Sequence, residues 1–193
     1  MAVVPVKSFD AGKERLAAAL DRPSREFLTR AMAEHVVATA ETAELLPLVV
    51  TSSDGVAEWA ALRGLPTLLD TGQGLSAAAG SGIAWAEASG SDWIVLHGDL
   101  PLLQVGDLEA LSGPLREGDD PIAPSADGGT SALGGRGEMT FNYGKASFHR
   151  HLVRLRSPRV VVTRGLAHDV DTPSDLSSAR KHPRGAWLDR ALD

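Results

Sequence analysis

The sequence predicts a single α/β domain in which helices cover both faces of a mostly parallel central sheet. Two observations lead to this fold class. Short apolar runs of the length of buried strands alternate with amphipathic or alanine-rich segments of helical length. Hydrophobic residues make up 43% of the 193 residues, enough for a core of ordinary size in one domain.

Each element is predicted from its length, its apolar pattern and its flanking turn residues. The strands are expected at 2–6, 46–51, 64–69, 93–96, 121–124 and 160–163. The helices are expected at 13–20, 24–43, 54–63, 75–88, 105–116 and 146–155. Ser24 is the expected N-cap of the second helix. A last helix is predicted after Thr172, because Pro173 and Asp175 complete a capping-box pattern.

Composition excludes several classes of function. Cysteine is absent, which excludes disulfides, thiolate catalysis and cysteine-ligated zinc. No apolar run approaches the roughly 20 residues that a membrane-spanning helix needs, and the N-terminus lacks the pattern of a signal peptide. A cytoplasmic location is therefore expected. The net charge of −6 argues against general binding of nucleic acid.

The charges are distributed unevenly along the chain. Residues 54–120 contain eleven Asp and Glu against two Arg, whereas residues 136–164 contain seven Lys and Arg against one Glu. An acidic segment could hold a cation and a basic segment could hold phosphates. The alternative, ordinary solvated surface charge, is left open by composition alone.

A group of three cations surrounds the first predicted strand-to-helix connection; this N-terminal basic group is Lys7, Lys13 and Arg15. After the strand the chain passes through a loop that contains Gly12 and enters the predicted helix. Free amides at such a connection favour an anion, and the three cations would add to that preference. The glycine spacing is not that of a Walker P-loop, and exposed surface lysines remain the alternative.

Carboxylates occupy two positions where strands are predicted to end. Asp99 follows the strand 93–96 directly, and ligands of parallel sheets bind outside the carboxyl ends of the strands. Asp169 and Asp171 are two residues apart in a segment expected to be extended, so they face the same side while Val170 points into the core. Three carboxylates suit Mg²⁺ better than zinc, although turn aspartates without a metal remain the alternative.

Two glycine turns with nearby hydroxyl groups, at 127–133 and 141–148, are candidates for binding a phosphate or carboxylate. The alternative is that both are simple turns. His149 and His151 follow at a spacing that places them on different faces of a helix, so they are interpreted as surface or core histidines and not as a metal pair.

Five segments in a fixed order resemble the guanylyltransferases of coenzyme F-420 biosynthesis, over about residues 3 to 178. The segments are VPVKSFDAGKERLAAAL, GDLPLL, SADGGTSAL, FNYGKASFHRHL and HDVDTPSDL. The family implies a Rossmann-like nucleotidyltransferase fold of the glycosyltransferase-A type. It also implies a reaction in which GTP and 2-phospho-L-lactate or phosphoenolpyruvate give a guanylylated acid and pyrophosphate.

The resemblance also implies roles for individual residues. Asp99 and Asp169 would bind Mg²⁺, or alternatively Mn²⁺, with Asp171 close by, and the N-terminal basic group would face the GTP phosphates. The positions that would bind the acceptor acid are Thr130, Gly144 and Ser147. Many members have Asn where this chain has Ser76, which weakens any inference about contacts from that loop to the nucleotide.

The expected domain organisation is a nucleotidyltransferase domain at 1–180 followed by a tail at 181–193, and a homodimer is possible. The Ala-, Gly- and Arg-rich composition looks bacterial, and for a bacterial member the resemblance implies phosphoenolpyruvate rather than 2-phospho-L-lactate as the acceptor. Three alternatives remain at this point. They are another nucleotidyltransferase acting on a sugar phosphate or molybdopterin, a glycosyltransferase, and a non-catalytic domain that binds nucleotide and regulates a partner.

Overall fold

The computed structural model describes residues 1–10 and 13–192. Within these residues a seven-stranded sheet forms the centre of the molecule. The strands are β1 (Ala2–Pro5), β2 (Pro47–Thr51), β3 (Thr67–Leu69), β4 (Trp93–Leu96), β5 (Asp120–Pro124), β6 (Thr130–Gly135) and β7 (Pro158–Val160). Their spatial order is β3-β2-β1-β4-β6-β5-β7.

The sheet is mostly parallel, as predicted. Strand β1 pairs in parallel with β2 and β4, β2 pairs in parallel with β3, and β5 pairs in parallel with β7. Strand β6 is antiparallel to both of its neighbours, β4 and β5. The carboxyl ends of the other strands therefore lie at one edge of the sheet, where β6 begins.

Helices cover both faces of the sheet, which confirms the predicted architecture. They are α1 (Arg22–Thr42), α2 (Asp54–Leu62), α3 (Leu75–Ala88), α4 (Val105–Glu117), α5 (Ser147–Leu152), α6 (Arg164–Ala167), α7 (Pro173–Lys181) and α8 (Trp187–Leu192). Buried side chains of α1, α2 and α4 share one core cluster with the sheet, and those of α3 share another. Two 3₁₀ turns, Glu14–Ala18 and Pro183–Gly185, complete the secondary structure of the described residues.

The central strands are apolar throughout because both of their faces are buried. In β1, Val4 packs into the core shared with α1, whereas Val3 packs into the core shared with α3. Helix α3 lies close to the sheet at Gly82, where an added Cβ would come within 2.3 Å of Val3 Cγ1. Small residues on α3 thus allow the close helix-to-sheet approach on this face.

The structure corrects four local predictions. Segment 13–20 contains a short 3₁₀ turn and not an α-helix. The N-cap of α1 is Asp21, whose side chain accepts a hydrogen bond of 2.9 Å from the Ser24 amide, so Ser24 lies inside the helix. The last strand ends at Val160 and is followed by α6. Strand β6 was not predicted, because its sequence begins with small polar residues that are typical of a turn.

The segment after Lys181 packs on the rest of the molecule. Leu188 is fully buried in a cluster with residues of α1 and α7. The Trp187 indole donates a hydrogen bond of 3.0 Å to the Pro101 carbonyl and stacks on His35. These contacts place the tail beside the loop that follows β4. Among the described residues, no helix is long and apolar enough to cross a membrane.

Candidate active site

The loop after β4 brings together the residues that we call the carboxylate cluster, namely Lys13, Asp99, Asp169 and Asp171. The Asp99 carbonyl accepts a hydrogen bond of 3.3 Å from the Val170 amide, which joins the two acidic segments. Val170 is fully buried, as predicted, so the aspartates on either side of it are directed away from the core. All three predicted metal-ligand positions therefore lie in one region.

Lys13 lies between two of these carboxylates. Its Nζ atom is 2.5 Å from Asp99 Oδ2 and 2.8 Å from Asp171 Oδ1, and only 9% of the lysine side chain is exposed. Burial disfavours the ammonium charge, but the two carboxylates outweigh this effect and raise the pKa of Lys13. A left-handed backbone conformation at Lys13, with φ 59°, directs the chain into the following 3₁₀ turn. Lys13 is thus a fixed cation within an acidic site.

The cluster still contains unsatisfied negative charge. Asp99 Oδ1 is buried and has no hydrogen-bond partner. Burial by itself would raise the pKa of the Asp99 carboxyl, but the nearby Lys13 ammonium outweighs this effect and keeps that pKa low. Burial, followed by the charge of Asp99, raises the pKa of Asp169 to about 7. A buried carboxylate oxygen without a partner lowers the stability of the folded protein unless a ligand supplies a cation or a hydrogen-bond donor.

The donor atoms of this cluster fit a hard divalent cation. The free Asp99 oxygen and the Asp169 carboxylate are oxygen ligands of the kind that Mg²⁺ prefers. The described residues do not form a ready-made cluster of three or more acidic or histidine ligands. In this arrangement the Lys13 ammonium lies against Asp171 and Asp99. The assignment of all three aspartates as ligands remains a prediction.

A cavity of about 250 Å³ lies at the carboxyl ends of β1, β2 and β3. Lys7, of the N-terminal basic group, lines this cavity and is exposed. The other lining residues include three polar ones that sequence reasoning did not identify as site residues, Ser8, Ser52 and Asp70, together with Gly72 and Gly74 of the turn before Ser76. The sequence did contain a signal for these positions, because each of them follows a predicted strand and ligands bind outside the carboxyl ends of parallel strands.

The other parts of the predicted phosphate cradle are less well placed. Arg15 is exposed on the 3₁₀ turn, and this turn is too short to have the dipole of a helix. The predicted loop glycine, Gly12, and its neighbour Ala11 lie outside the described residues. The basic character of this region therefore rests mainly on Lys7 and Lys13.

Another cavity, of about 280 Å³, lies at the opposite end of the sheet. It is lined by Trp93 at the start of β4, Gly135 at the end of β6 and the surrounding charged residues. We base the candidate site on the smaller cavity, because ligands of open α/β sheets bind at the carboxyl ends of the strands.

The hydroxyl cluster consists of Thr130, Ser147 and His151, where α5 packs against the start of β6. The Ser147 hydroxyl donates to Thr130 Oγ1 at 3.3 Å, and Thr130 Oγ1 is 2.9 Å from His151 Nδ1. All three side chains are buried, with at most 1% exposure. Two of the three predicted acceptor positions are therefore in contact. The prediction that His151 is a core residue is confirmed, and His149 is exposed.

The turn before Thr130 packs tightly against the hydroxyl cluster. An added Cβ at Gly129 would lie 2.6 Å from Ser125 Oγ and 3.8 Å from Ser147 Oγ, so the close packing requires glycine. Asp127 accepts hydrogen bonds from the Ser125 hydroxyl and the Gly129 amide, which lower the pKa of its carboxyl. Asp127 belongs to the candidate glycine turn at 127–133, and Ser125 is a further site candidate that the sequence reasoning missed.

Gly144, the third predicted acceptor position, is exposed beside the cluster. Its carbonyl accepts a hydrogen bond of 3.0 Å from the Ser147 amide. Because α5 contains only six residues and this amide is already bonded, the argument from free amides at the helix start is weakened. The nearby Arg150 and Arg154 donate to backbone carbonyls at 142 and 140, so these two cations also hold the fold.

Aromatic rings connect the two clusters. Tyr143 packs between His97, at 5.3 Å, and His151, at 4.9 Å, and its amide donates to the Ser76 hydroxyl at 3.0 Å. His97 follows β4 two residues before Asp99, and its Nε2 atom is buried without a partner, as is the Tyr143 hydroxyl oxygen. Burial lowers the pKa of His97. The polar region therefore extends continuously from Asp99 to Thr130.

Comparison with solved structures shows the same fold in a protein from Desulfovibrio desulfuricans G20, described provisionally as a nucleotide-diphospho-sugar transferase. It is 19% identical, with a TM-score of 0.77 over 99% of this chain and 95% of the other. At this identity the likeness shows a shared fold. A model of the family described as guanylyl transferase, CofC-like, matches residues 1–187, and the chain belongs to this family.

Relatives of this family include proteins from bacteria and archaea. The phosphoenolpyruvate guanylyltransferase of Sphaerobacter thermophilus is 34% identical over 99% of this chain and 98% of its own length. The 2-phospho-L-lactate guanylyltransferase of Methanothermobacter thermautotrophicus is 30% identical over 95% of this chain and 85% of its own. The matches extend over nearly the whole molecule, so they include both clusters.

Proposed function

We propose that the protein is a guanylyltransferase that transfers GMP from GTP to phosphoenolpyruvate and releases pyrophosphate, in the biosynthesis of coenzyme F-420. The observation that carries this proposal is the carboxylate cluster, in which Asp99 Oδ1 is buried without a partner beside the Lys13 ammonium. Family membership and the names of the relatives support the choice of GTP and of a phosphorylated three-carbon acid.

The nucleotide would bind in the cavity at the ends of β1 to β3, where Lys7 lines the wall. A phosphate oxygen of the acceptor attacks the α-phosphorus of GTP, and the bond from that phosphorus to the bridging oxygen of the β-phosphate breaks. The acceptor phosphate is already anionic, so the reaction requires no strong general base. The main task of the protein is to align two anions that repel each other.

Lys13 and Lys7 would offset the negative charge that develops on the leaving pyrophosphate. Lys13 is suited to this role because the pKa of its ammonium is raised, which keeps it charged at neutral pH. Arg15 would act from the exposed side of the same segment. Asp99 and Asp169, with Asp171 nearby, would hold Mg²⁺, which when bound neutralises phosphate charge and orders the reacting groups.

The acceptor would bind next to the hydroxyl cluster, at Thr130, Ser147 and the backbone of Gly144. Hydroxyl donors suit the oxygens of a phosphate or carboxylate, which accept hydrogen bonds only. Phosphoenolpyruvate is preferred as the acceptor because the Sphaerobacter relative bears that name. The name of the archaeal relative makes 2-phospho-L-lactate the second candidate.

The test is pyrophosphate release from GTP by the purified protein, with Mg²⁺ or Mn²⁺ and a panel of acceptors. We expect turnover with phosphoenolpyruvate, weaker turnover with 2-phospho-L-lactate, and none without a divalent cation. Turnover with sugar phosphates at an equal rate would contradict the acceptor assignment. Absence of turnover with every acid, from folded protein, would contradict the enzymatic role.

A further inference from the structure

His151 is held firmly in one orientation within the hydroxyl cluster. Its ring is fully buried and lies edge-on to Phe141, at 5.9 Å, and to Tyr143, at 4.9 Å. Both ring nitrogens have partners: Nδ1 is 2.9 Å from Thr130 Oγ1, and Nε2 is 2.8 Å from the Asn142 backbone nitrogen. Packing and hydrogen bonding therefore both prevent rotation of the ring.

The two contacts determine which ring nitrogen of His151 carries the proton. The Asn142 amide can only donate, so Nε2 must accept and cannot itself be protonated. In the neutral ring the proton then lies on Nδ1, which donates to Thr130 Oγ1. If the ring were protonated, its Nε2–H would point at the Asn142 N–H, and the two donors would repel each other. In agreement with this geometry, burial, together with the charges of Arg150 and Arg154, lowers the pKa of His151 to about 4.

The consequence falls on the hydroxyl group of Thr130. Its oxygen accepts one hydrogen bond from His151 and another, at 3.3 Å, from the Ser147 hydroxyl. With the Ser147 hydroxyl as the donor, both lone pairs of Thr130 Oγ1 are occupied, and the Thr130 proton is available to a third group. Because the three side chains are buried, this arrangement is not averaged by competing water.

We propose that His151 is a positioning residue that holds the Thr130 hydroxyl as a hydrogen-bond donor toward an anionic oxygen of the acceptor acid. This inference rests on the proposed function, since it assigns the acceptor to the hydroxyl cluster. A donor whose direction is fixed in advance suits a phosphate or carboxylate oxygen. The hydroxyl itself then needs no reorientation when such a group binds.

Two substitutions separate the two contacts of the ring. In H151Q the side-chain amide reaches the Nε2 position and can still accept from Asn142, but no donor remains at the Nδ1 position. In H151N the amide nitrogen lies at the Nδ1 position and can still donate to Thr130, while the acceptor for Asn142 is lost. The exposed His149, on the same short helix, provides the control H149Q.

We expect H151Q to raise KM for phosphoenolpyruvate about five- to ten-fold, up to the effect of removing the Thr130 hydroxyl, and to change KM for GTP less than two-fold. H151N should keep KM for the acceptor within about three-fold of the parent protein, because the donor to Thr130 remains, and H149Q should match the parent. An unchanged acceptor KM in H151Q, or an effect of equal size on KM for GTP, would overturn the proposal.

A measurement on the unsubstituted protein tests the proposal even if the variants fail to fold. With ¹⁵N-labelled protein, long-range ¹H–¹⁵N correlation spectra distinguish the two imidazole tautomers, and the His151 signals are those absent from either His151 variant. The Nδ1–H form at pH 7 is expected, whereas an Nε2–H form or an imidazolium would overturn the inference. Inactivity of the parent protein with every acid would instead refute the proposed function, and the tautomer result would stand separately.

Discussion

The carboxylate cluster and the hydroxyl cluster lie in one polar region but differ in how their hydrogen-bonding groups are satisfied. Asp99 has a buried oxygen without a partner, and a high pKa of about 7 at Asp169 reflects burial next to like charge. Both ring nitrogens of His151 and the acceptor sites of Thr130 Oγ1, by contrast, have partners in a buried, neutral arrangement that leaves the Thr130 hydroxyl proton for a ligand. The first region keeps a negative oxygen without a partner, whereas in the second the side chains already hold one another in place.

This contrast predicts the largest effects at the carboxylate cluster. Asp99→Asn and Asp169→Asn should each lower kcat/KM at least about a hundred-fold, the size of effect that follows loss of a charge-stabilising group. The two substitutions should change the free energy of unfolding in opposite directions. Asp99→Asn should lower the free energy of unfolding by about 1–3 kcal/mol, because Lys13 loses one charged partner. Asp169→Asn should raise it, because repulsion by Asp99 is relieved.

The measurements are pyrophosphate-release kinetics and denaturant unfolding in the presence of EDTA. Asp92→Asn is the matched control, because Asp92 precedes β4 at the other end of the strand and pairs with Arg136 on the surface. Near-normal turnover of Asp169→Asn at limiting Mg²⁺ would show that this residue is not a metal ligand. Destabilisation by both substitutions would mean that Asp169 has a favourable partner in the folded protein.

An intermediate effect is expected for the cation that the acidic site already contains. Lys13→Ala should lower kcat/KM for GTP about ten- to a hundred-fold, the value of a charge-assisted hydrogen bond, without changing the preferred acceptor. It should also destabilise the protein, because Asp99 and Asp171 would then face each other without a cation. Kinetics with GTP varied at saturating acceptor, with the exposed Lys181→Ala as control, test this. An unchanged kcat/KM would limit Lys13 to a structural role.

At the hydroxyl cluster the expected effect is smaller and concerns the acceptor alone. Thr130→Val keeps the shape of the side chain but removes the hydroxyl, so KM for phosphoenolpyruvate should rise about five- to ten-fold while KM for GTP stays nearly constant. The exposed Thr140→Val is the matched control. A change confined to KM for GTP would assign this position to the nucleotide.

The smallest expected effect is the pH dependence of stability that His151 contributes, opposite in sign to that of Asp169, whose raised pKa favours the folded protein as pH falls. The pKa of His151 is about 4 in the folded protein against 6.5 in the unfolded chain, so the unfolded chain takes up the proton first as pH falls. Stability from this residue is thus present above pH 6.5 and lost between pH 6.5 and 4. H151Q should therefore show a shallower decline, by up to about 1.4 kcal/mol per pH unit.

Denaturant unfolding between pH 7 and 4.5, compared with H149Q, measures the difference in slope. His97, whose pKa is also lowered, and the arginines at 150 and 154 are present in both variants, so their contributions cancel. Equal slopes in the two variants would mean that the pKa of His151 is the same in the folded and the unfolded protein, which would contradict the prediction.

The sequence by itself determined the features that depend on local pattern. The apolar runs predicted β1, β2, β4 and β5 closely, because parallel strands buried on both faces read as continuous hydrophobic segments. The less buried edge strands were located less well: β3 is shorter than predicted, and β7 shares only Val160 with the predicted strand at 160–163. The capping box at Thr172 was predicted correctly, since the cap and its Asp175 partner are three residues apart. Asp99 was identified because a carboxylate at the end of a buried strand lies where ligands bind.

Only the tertiary structure decided which distant groups meet. Strand β6 begins with Thr-Ser and ends with Gly-Gly, so its local preference is that of a turn, and pairing with β4 and β5 overrides it. Lys13 reaches Asp99, 86 residues away, and His151 reaches Thr130, 21 residues away. Such contacts leave no local periodicity in one sequence. They arise because buried charges and polar atoms must find partners wherever the packed chain brings them together.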